Sequence, residues 1–301
     1  MPAAVPAPPV RKRPRVGFIV AIALLSLALA GAVAAVVFYF IKLDEANAHI
    51  EEQNRQLEEQ EQLIEQKEIF GAAMTDLMDT AAKFDGVLLD SVVPFDRYKL
   101  IAAQGWVHRW SMESLQRDVV KVRDASEELR AVLTTANTEA TTSTTGSTYE
   151  AVIDQLSAGF ATSVIDDADT LCASDVLACV LSDDPYTVHF DVADSTLPYM
   201  TDELRTGIAY HEFAHVLQLT NPEPTEVALV AFGGDDEIMA DCFALTYLPG
   251  WKLDHRIWVS SYQYWDVSIG YGHTCDETQR QAVRDWYGQL GFHAEPISQD
   301  R

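Results

Sequence analysis

The sequence predicts an α+β domain carried on a membrane-spanning helix and a helical stalk, and three observations lead there. Residues 16–41 are an unbroken apolar run, and leucine or isoleucine recurs at every seventh position from Leu43 to Ile64. An alternating β-branched and aromatic stretch at 186–192 precedes two helix-period patterns around residues 211 and 240. The chain has 301 residues with 48% hydrophobic content, enough for one or two cores besides these accessories.

The first fifteen residues hold five prolines and four cations, Arg11, Lys12, Arg13 and Arg15, with no acid, so they read as a basic tail without a core. Val16 to Ile41 is 26 residues long. As a helix it measures about 39 Å at 1.5 Å per residue, long enough to cross a bilayer with some tilt. Cations before it and Asp44-Glu45 after it put the tail in the cytoplasm and the remainder outside the cell. A cleaved signal peptide is the rival, with Ala28-Leu29-Ala30 as its cutting site, but that cut leaves Gly31 to Ile41 as an apolar mature end.

Residues 42–133 read as a helical stalk and hairpin. Leu43, Ile50, Leu57 and Ile64 make one apolar seam, whereas the companion positions Ala46, Gln53, Gln60 and Lys67 are mostly polar. The pattern predicts a stalk packed on another helix, and at most a weak helix-mediated oligomer. Gly86 to Pro94 interrupts it, and Phe95 to Leu133 is helical again, so an antiparallel hairpin is expected. Residues 134–148 are Thr-rich and nearly devoid of apolar side chains, which predicts an exposed linker or loop and a domain boundary. Residues 149–301 are then the size of one compact domain.

Within that domain, Tyr186 to Val192 reads as a strand just ahead of a helix. Thr201 is a natural N-cap before Asp202 and Glu203, and Asn221-Pro222 is the stop, giving roughly 18 helical residues. This helix carries His211-Glu212-Phe213-Ala214-His215. Two imidazoles four residues apart lie on one face and can reach one zinc ion, and Glu212 between them can take a proton from water activated there. Catalytic zinc needs a third protein ligand. The metzincin pattern requires glycine and histidine where this chain has Gln218 and Asn221, so that class is excluded. Downstream, Gly233-Gly234 and Asp235-Asp236 open a second helix that ends before Pro249-Gly250. Glu237 and Asp241 are again i and i+4, so one face can offer Glu237 to the metal and Asp241 to the outer nitrogen of a ligating histidine.

His211-Glu212-x-x-His215 followed by Glu237-x-x-x-Asp241 resembles the gluzincin branch of the zincin metallopeptidases. The segment Glu237 to Ala244 is similar to bacterial neutral zinc metallopeptidases, and the resemblance covers roughly Tyr186 to Phe292. It implies a zincin-like fold, zinc on His211, His215 and Glu237, Glu212 as general base, and a peptide or protein substrate. It also implies that the strand before the active-site helix borders the cleft. A further group would stabilise the oxyanion opposite the metal, and His255, Tyr271 and His273 are the candidates.

Trp251, Trp258, Tyr262, Tyr264 and Trp265 are expected in the core and the cleft wall. Thr274-Cys275-Asp276-Glu277 reads as a capping box opening a last helix that runs to about Leu290. Four cysteines beyond the membrane favour two disulfides, for which three connectivities are open; Cys172 with Cys179 encloses a short loop, which would leave Cys242 to tie down Cys275. The net charge is −25, and setting aside the four tail cations leaves −29 for residues 42–301, which excludes nucleic acid as a partner. The rival to a membrane-anchored peptidase is a non-catalytic surface module with a structural or degenerate zinc site.

Overall fold

The computed structural model describes residues 16–172, 174, 176–271 and 275–293. The basic tail of residues 1–15, His273 and Thr274 lie outside the described residues. The chain divides into two compact units, Met1–Glu65 and Gln66–Arg301.

In the first unit the described residues are all helical, part of α1 (Val16–Ala81). Its apolar residues face outward: Leu24, Leu27, Val33 and Phe40 are each more than half exposed, so this is no core helix of a soluble protein. The helix is long and apolar enough to cross a membrane. Leu43, Ile50, Leu57 and Ile64 are also about half exposed, so the expected packing of the stalk on another helix is not found within the described chain.

The second unit is mixed α/β. The end of α1 packs on α2 (Phe95–Val107) and α3 (Met112–Glu139) around Leu77, Phe84, Tyr98, Val122 and Leu129. Asp76 fixes the α3 contact by accepting hydrogen bonds from Ser126 Oγ at 2.8 Å and Arg130 at 2.5 Å. The second arm of the expected hairpin is broken at His108–Ser111, where the Ser111 side chain caps α3 by accepting from Ser114 N–H. Trp106, Val107 and Trp110, at that break, are exposed.

Residues 140–147 form the expected exposed loop, but residues 134–139 are helical and no domain boundary falls there. Helix α3 runs on to Glu139, because the hydroxyls of Thr134 and Thr138 donate back to Arg130 O and Thr134 O at 2.8 Å and so do not compete with the helix. The loop that follows wraps the buried carboxylate of Glu150 in α4 (Thr148–Ser157): Ser143 and Thr145 hydroxyls and the Thr144, Thr145 and Gly146 amides all donate to it. No unit boundary falls at 134–148, and the helices belong with the mixed layer. Phe84 meets Phe160 at 5.6 Å, the Val87 and Phe292 backbones pair at 2.9 Å, and Asn221 Nδ2 donates to Leu88 O at 2.9 Å.

Strands β1 (Thr162–Asp166), β2 (Ala178–Leu181) and β3 (Asp184–Asp191) form one sheet in the order β1-β3-β2. β3 is parallel to β1 (Val164 opposite His189) and antiparallel to β2 (Cys179 opposite His189). The short helices α5 (Ala168–Leu171) and α6 (Val192–Ser195) flank it. Val188 and Phe190 of β3 are fully buried, with Phe190 stacked on Tyr149 at 3.9 Å, and the core continues into α7 (Asp202–Thr220) through Leu204, Ile208, Phe213 and Leu217. After α7 come α8 (Pro222–Leu229), α9 (Asp236–Tyr247), the hairpin β4 (Asp254–Trp258) and β5 (Tyr264–Ser268), and α10 (Glu277–Tyr287).

Two expectations about this region change. Of Trp251, Trp258, Tyr262, Tyr264 and Trp265 only Trp251 is buried, whereas the other four stand exposed on the hairpin, a ribbon with two strands among the described residues. The last helix starts later than expected, with Asp276 as N-cap and Gln279 completing the box, because the Asp276 carboxylate rather than an upstream hydroxyl accepts the free amide of the first turn.

Candidate metal centre

Helix α7 is set by local chemistry. Thr201 Oγ1 accepts from Leu204 N–H, Asp202 and Glu203 lie at the positive end of the helix dipole, and Asn221 ends it before Pro222. Helix α9 opens likewise, with Asp235 accepting from Ile238 N–H at 3.0 Å. The two helices pack through Phe213 and Phe243, and a disulfide from Cys242 to Cys275 ties α9 to the start of α10. The second disulfide, Cys172 to Cys179, joins the segment after α5 to β2.

This packing brings His211, His215 and Glu237 together. The Nε2 atoms of the two histidines are 3.2 Å apart and lie 3.0 and 3.1 Å from Glu237 Oε2. The outer nitrogens fix the tautomers. His211 Nδ1 faces Asp241 Oδ1 at 2.8 Å, an acceptor, so Nδ1 carries the hydrogen. His215 Nδ1 faces Gln218 Oε1 at 2.7 Å, and Gln218 Nε2 donates to Asp236 O at 3.0 Å, which fixes that amide and makes His215 Nδ1 a donor as well. Two imidazole lone pairs and a carboxylate oxygen therefore converge on one point, and such a triangle is stable only around positive charge.

The electrostatics agree with the geometry. Burial alone would depress His211, but the hydrogen-bonded carboxylates of Asp241 and Glu237 outweigh it and hold the imidazole at about 10. Burial likewise pushes Glu237 up, and the imidazoles of His211 and His215, when protonated, donate to it, override burial and keep its carboxyl well below the usual range. A proton or a metal ion would satisfy this demand. A tetrahedral zinc with bonds of about 2.0–2.1 Å spaces its ligand atoms about 3.3 Å apart, so the triangle fits zinc within a few tenths of an ångström.

Glu212, on the same helix, is 5% exposed, and its Oε2 is buried with no hydrogen-bond partner. Burial raises its pKa, and the neighbouring histidines partly oppose that. It lines, with the three clustered residues, a cleft of about 860 Å³ whose wall includes Ala178 to Val180 of β2. The strand that borders the cleft is thus β2 and not β3, because β3 is hydrogen-bonded on both edges while β2 is the edge strand.

Of the three oxyanion candidates, Tyr271 stands at the cleft, its ring stacked 6.1 Å from that of His211 and its N–H donating to Asp241 Oδ2 at 2.8 Å. Burial and the Glu237 carboxylate push its phenol up to about 12. His255 lies elsewhere, its Nε2 donating to Lys252 O at 2.6 Å and its ring against Trp251 at 4.7 Å. His273 lies outside the described residues.

Sequence reasoning missed Gln218, whose signal was available: it sits three residues after His215 and seven after His211, on the same helical face. It also missed Gly270, where a Cβ would fall 2.5 Å from the Asp241 carboxylate at a φ of +98°. No family model, no curated protein and no solved structure matches this chain.

Proposed function

We propose that this protein is a membrane-anchored, outward-facing zinc metallopeptidase of gluzincin type, with a zincin-like catalytic region. The observation that carries the reading is the pairing of a three-acceptor triangle of zinc size with an unpartnered, buried Glu212 in one cleft. His211, His215 and Glu237 would hold the ion. Zinc, when bound, supplies a Lewis acid that acidifies water and polarises a carbonyl.

The protein's own groups then divide the work. Glu212 takes one proton from the attacking water, whose oxygen forms the new bond to the scissile carbonyl carbon. As the carbon–nitrogen bond breaks, Glu212 returns that proton to the leaving amine. A raised pKa suits this cycle, since the base must release the proton as well as take it. The Tyr271 hydroxyl, protonated throughout the neutral range, donates to the oxygen on which charge develops. The free edge of β2 offers backbone groups to which an extended substrate adds as a further strand. Asp241 and Gln218 keep both imidazoles in the tautomer that ligates.

For topology, the exposed apolar part of α1 serves as an uncleaved anchor with residues 1–15 in the cytoplasm, and two disulfides suit an oxidising exterior. The deciding experiment is Glu212→Gln in the full-length chain. Zinc stays at one equivalent while peptide hydrolysis falls by several orders of magnitude. A variant that cleaves at the parent rate overturns the peptidase reading.

A further inference from the structure

The charge of the cleft carries an inference about its substrate. Its charged lining consists of five carboxylates, Glu212, Glu226, Asp236, Glu237 and Asp241, and no lysine or arginine lines it among the described residues. Five carboxylates against one dication leave a formal −3. Glu237 and Asp241 face the histidines and Glu212 is the base, but Glu226 and Asp236 have no such task. Both are exposed at the mouth, and neither carboxylate has an ion-pair or hydrogen-bond partner among the described residues.

A second observation points the same way. The Glu212 Oε2 atom is buried, unpartnered and lines the same cleft, so the interior asks for a cationic or proton-donating occupant. The same lining also holds the apolar side chains of Leu177, Val180, Leu219 and Leu229. Apolar lining combined with exposed carboxylates suits a side chain with a long aliphatic stem and a charged tip. The −29 of residues 42–301 extends the negative field beyond the cleft and disfavours acidic ligands before contact.

We propose that the cleft selects peptides carrying a lysine or arginine side chain, with Glu226 and Asp236 receiving its charge. This builds on the peptidase reading but has its own test. Full-length, zinc-loaded Glu212→Gln protein is titrated with three fluorescent peptides that differ only in one residue: lysine, alanine or glutamate. The lysine peptide should bind about tenfold more tightly than the alanine peptide, and the glutamate peptide more weakly still, with the spread shrinking as salt rises. Adding Glu226→Lys, or Asp236→Asn, should reduce the lysine preference severalfold while zinc content stays at one equivalent.

Equal affinity for the three peptides, or a lysine preference that survives both substitutions, overturns the proposal. Hydrolysis by the parent protein is measured separately with the same peptides. Selective binding of the lysine peptide with no hydrolysis of any of them sinks the peptidase reading and leaves this one standing. Hydrolysis without charge preference does the reverse.

Discussion

Gln218 and Asp154 illustrate how single polar groups decide what a buried site can do. Gln218 makes one nitrogen of His215 a donor, which leaves the other as the lone pair facing Glu237. Gln218→Leu should therefore keep the fold but weaken zinc about 10 to 100-fold, read by chelator competition, because the imidazole loses its orienting partner. Asp241→Asn should weaken zinc similarly, whereas Glu237→Ala should release it under mild chelation, since two neutral ligands do not hold the ion. Full zinc retention in Glu237→Ala would move the third ligand elsewhere. Asp154 is the opposite case, a carboxylate held unfavourably. Burial and then the nearby charges of Glu139 and Glu150 raise it to about 6, and its Oδ1 is buried without a partner. Because the folded protein binds this proton more tightly than the unfolded chain, ionising it costs stability as pH rises through about 6. Asp154→Asn should stabilise by about 1 kcal/mol at pH 8, with the gain gone below pH 4. A constant gain across that range would assign the effect to something other than titration.

At the scale of elements, the loop before α4 behaves as a cap enlarged around one carboxylate. Burial works against the Glu150 charge, but backbone and hydroxyl donors from residues 143–146 outweigh it and lower its pKa to about 2. Its stabilising contribution is present above the unfolded value near 4.5 and disappears as pH falls toward 2. Glu150→Gln should cost roughly 1–3 kcal/mol at neutral pH, measured by urea denaturation, and should flatten the acid limb of the stability profile. Gly270 and Tyr271, which follow β5, show a comparable economy at the candidate metal centre. Asp241 accepts from both His211 and the Tyr271 backbone, so one carboxylate orients a ligand and positions the cleft tyrosine. Gly270→Ala should disturb both together, raising KM and lowering kcat, since its Cβ has no space beside that carboxylate and the left-handed φ penalises alanine.

For the molecule as a whole, the compact unit begins at Gln66 rather than after the Thr-rich stretch. The end of α1 shares a core with α2 and α3, and those helices are joined to the mixed layer through Phe84, Phe160 and the pairing of Val87 with Phe292. Limited proteolysis of the intact protein should therefore cut within residues 42–65 and release a resistant fragment starting near residue 66. A stable fragment starting near 149 would contradict the shared core. In intact cells, protease added from outside should release that fragment, and digestion only after cell disruption would reverse the proposed orientation.

What the sequence determined by itself is what rests on local spacing. The apolar run, the caps of α7 and α9, and the i, i+4 spacing of His211 with His215 and of Glu237 with Asp241 follow from helix geometry and first-turn chemistry, which neighbours in the chain dictate. The cysteine count made two disulfides legible, but the choice among three connectivities was made by the fold, which brings Cys172 to Cys179 and Cys242 to Cys275. Tertiary structure decided the rest. Threonines that read as a linker became helix and then a carboxylate cradle, because Glu150 and its donors meet only in the fold. The cleft wall passed from β3 to β2, because strand order depends on pairings that alternation along one strand does not encode. Tyr271 was separated from His255, and Gln218 acquired its role, because a side chain's partner across two helices is fixed by how the helices pack, and no spacing in the sequence carries that distance.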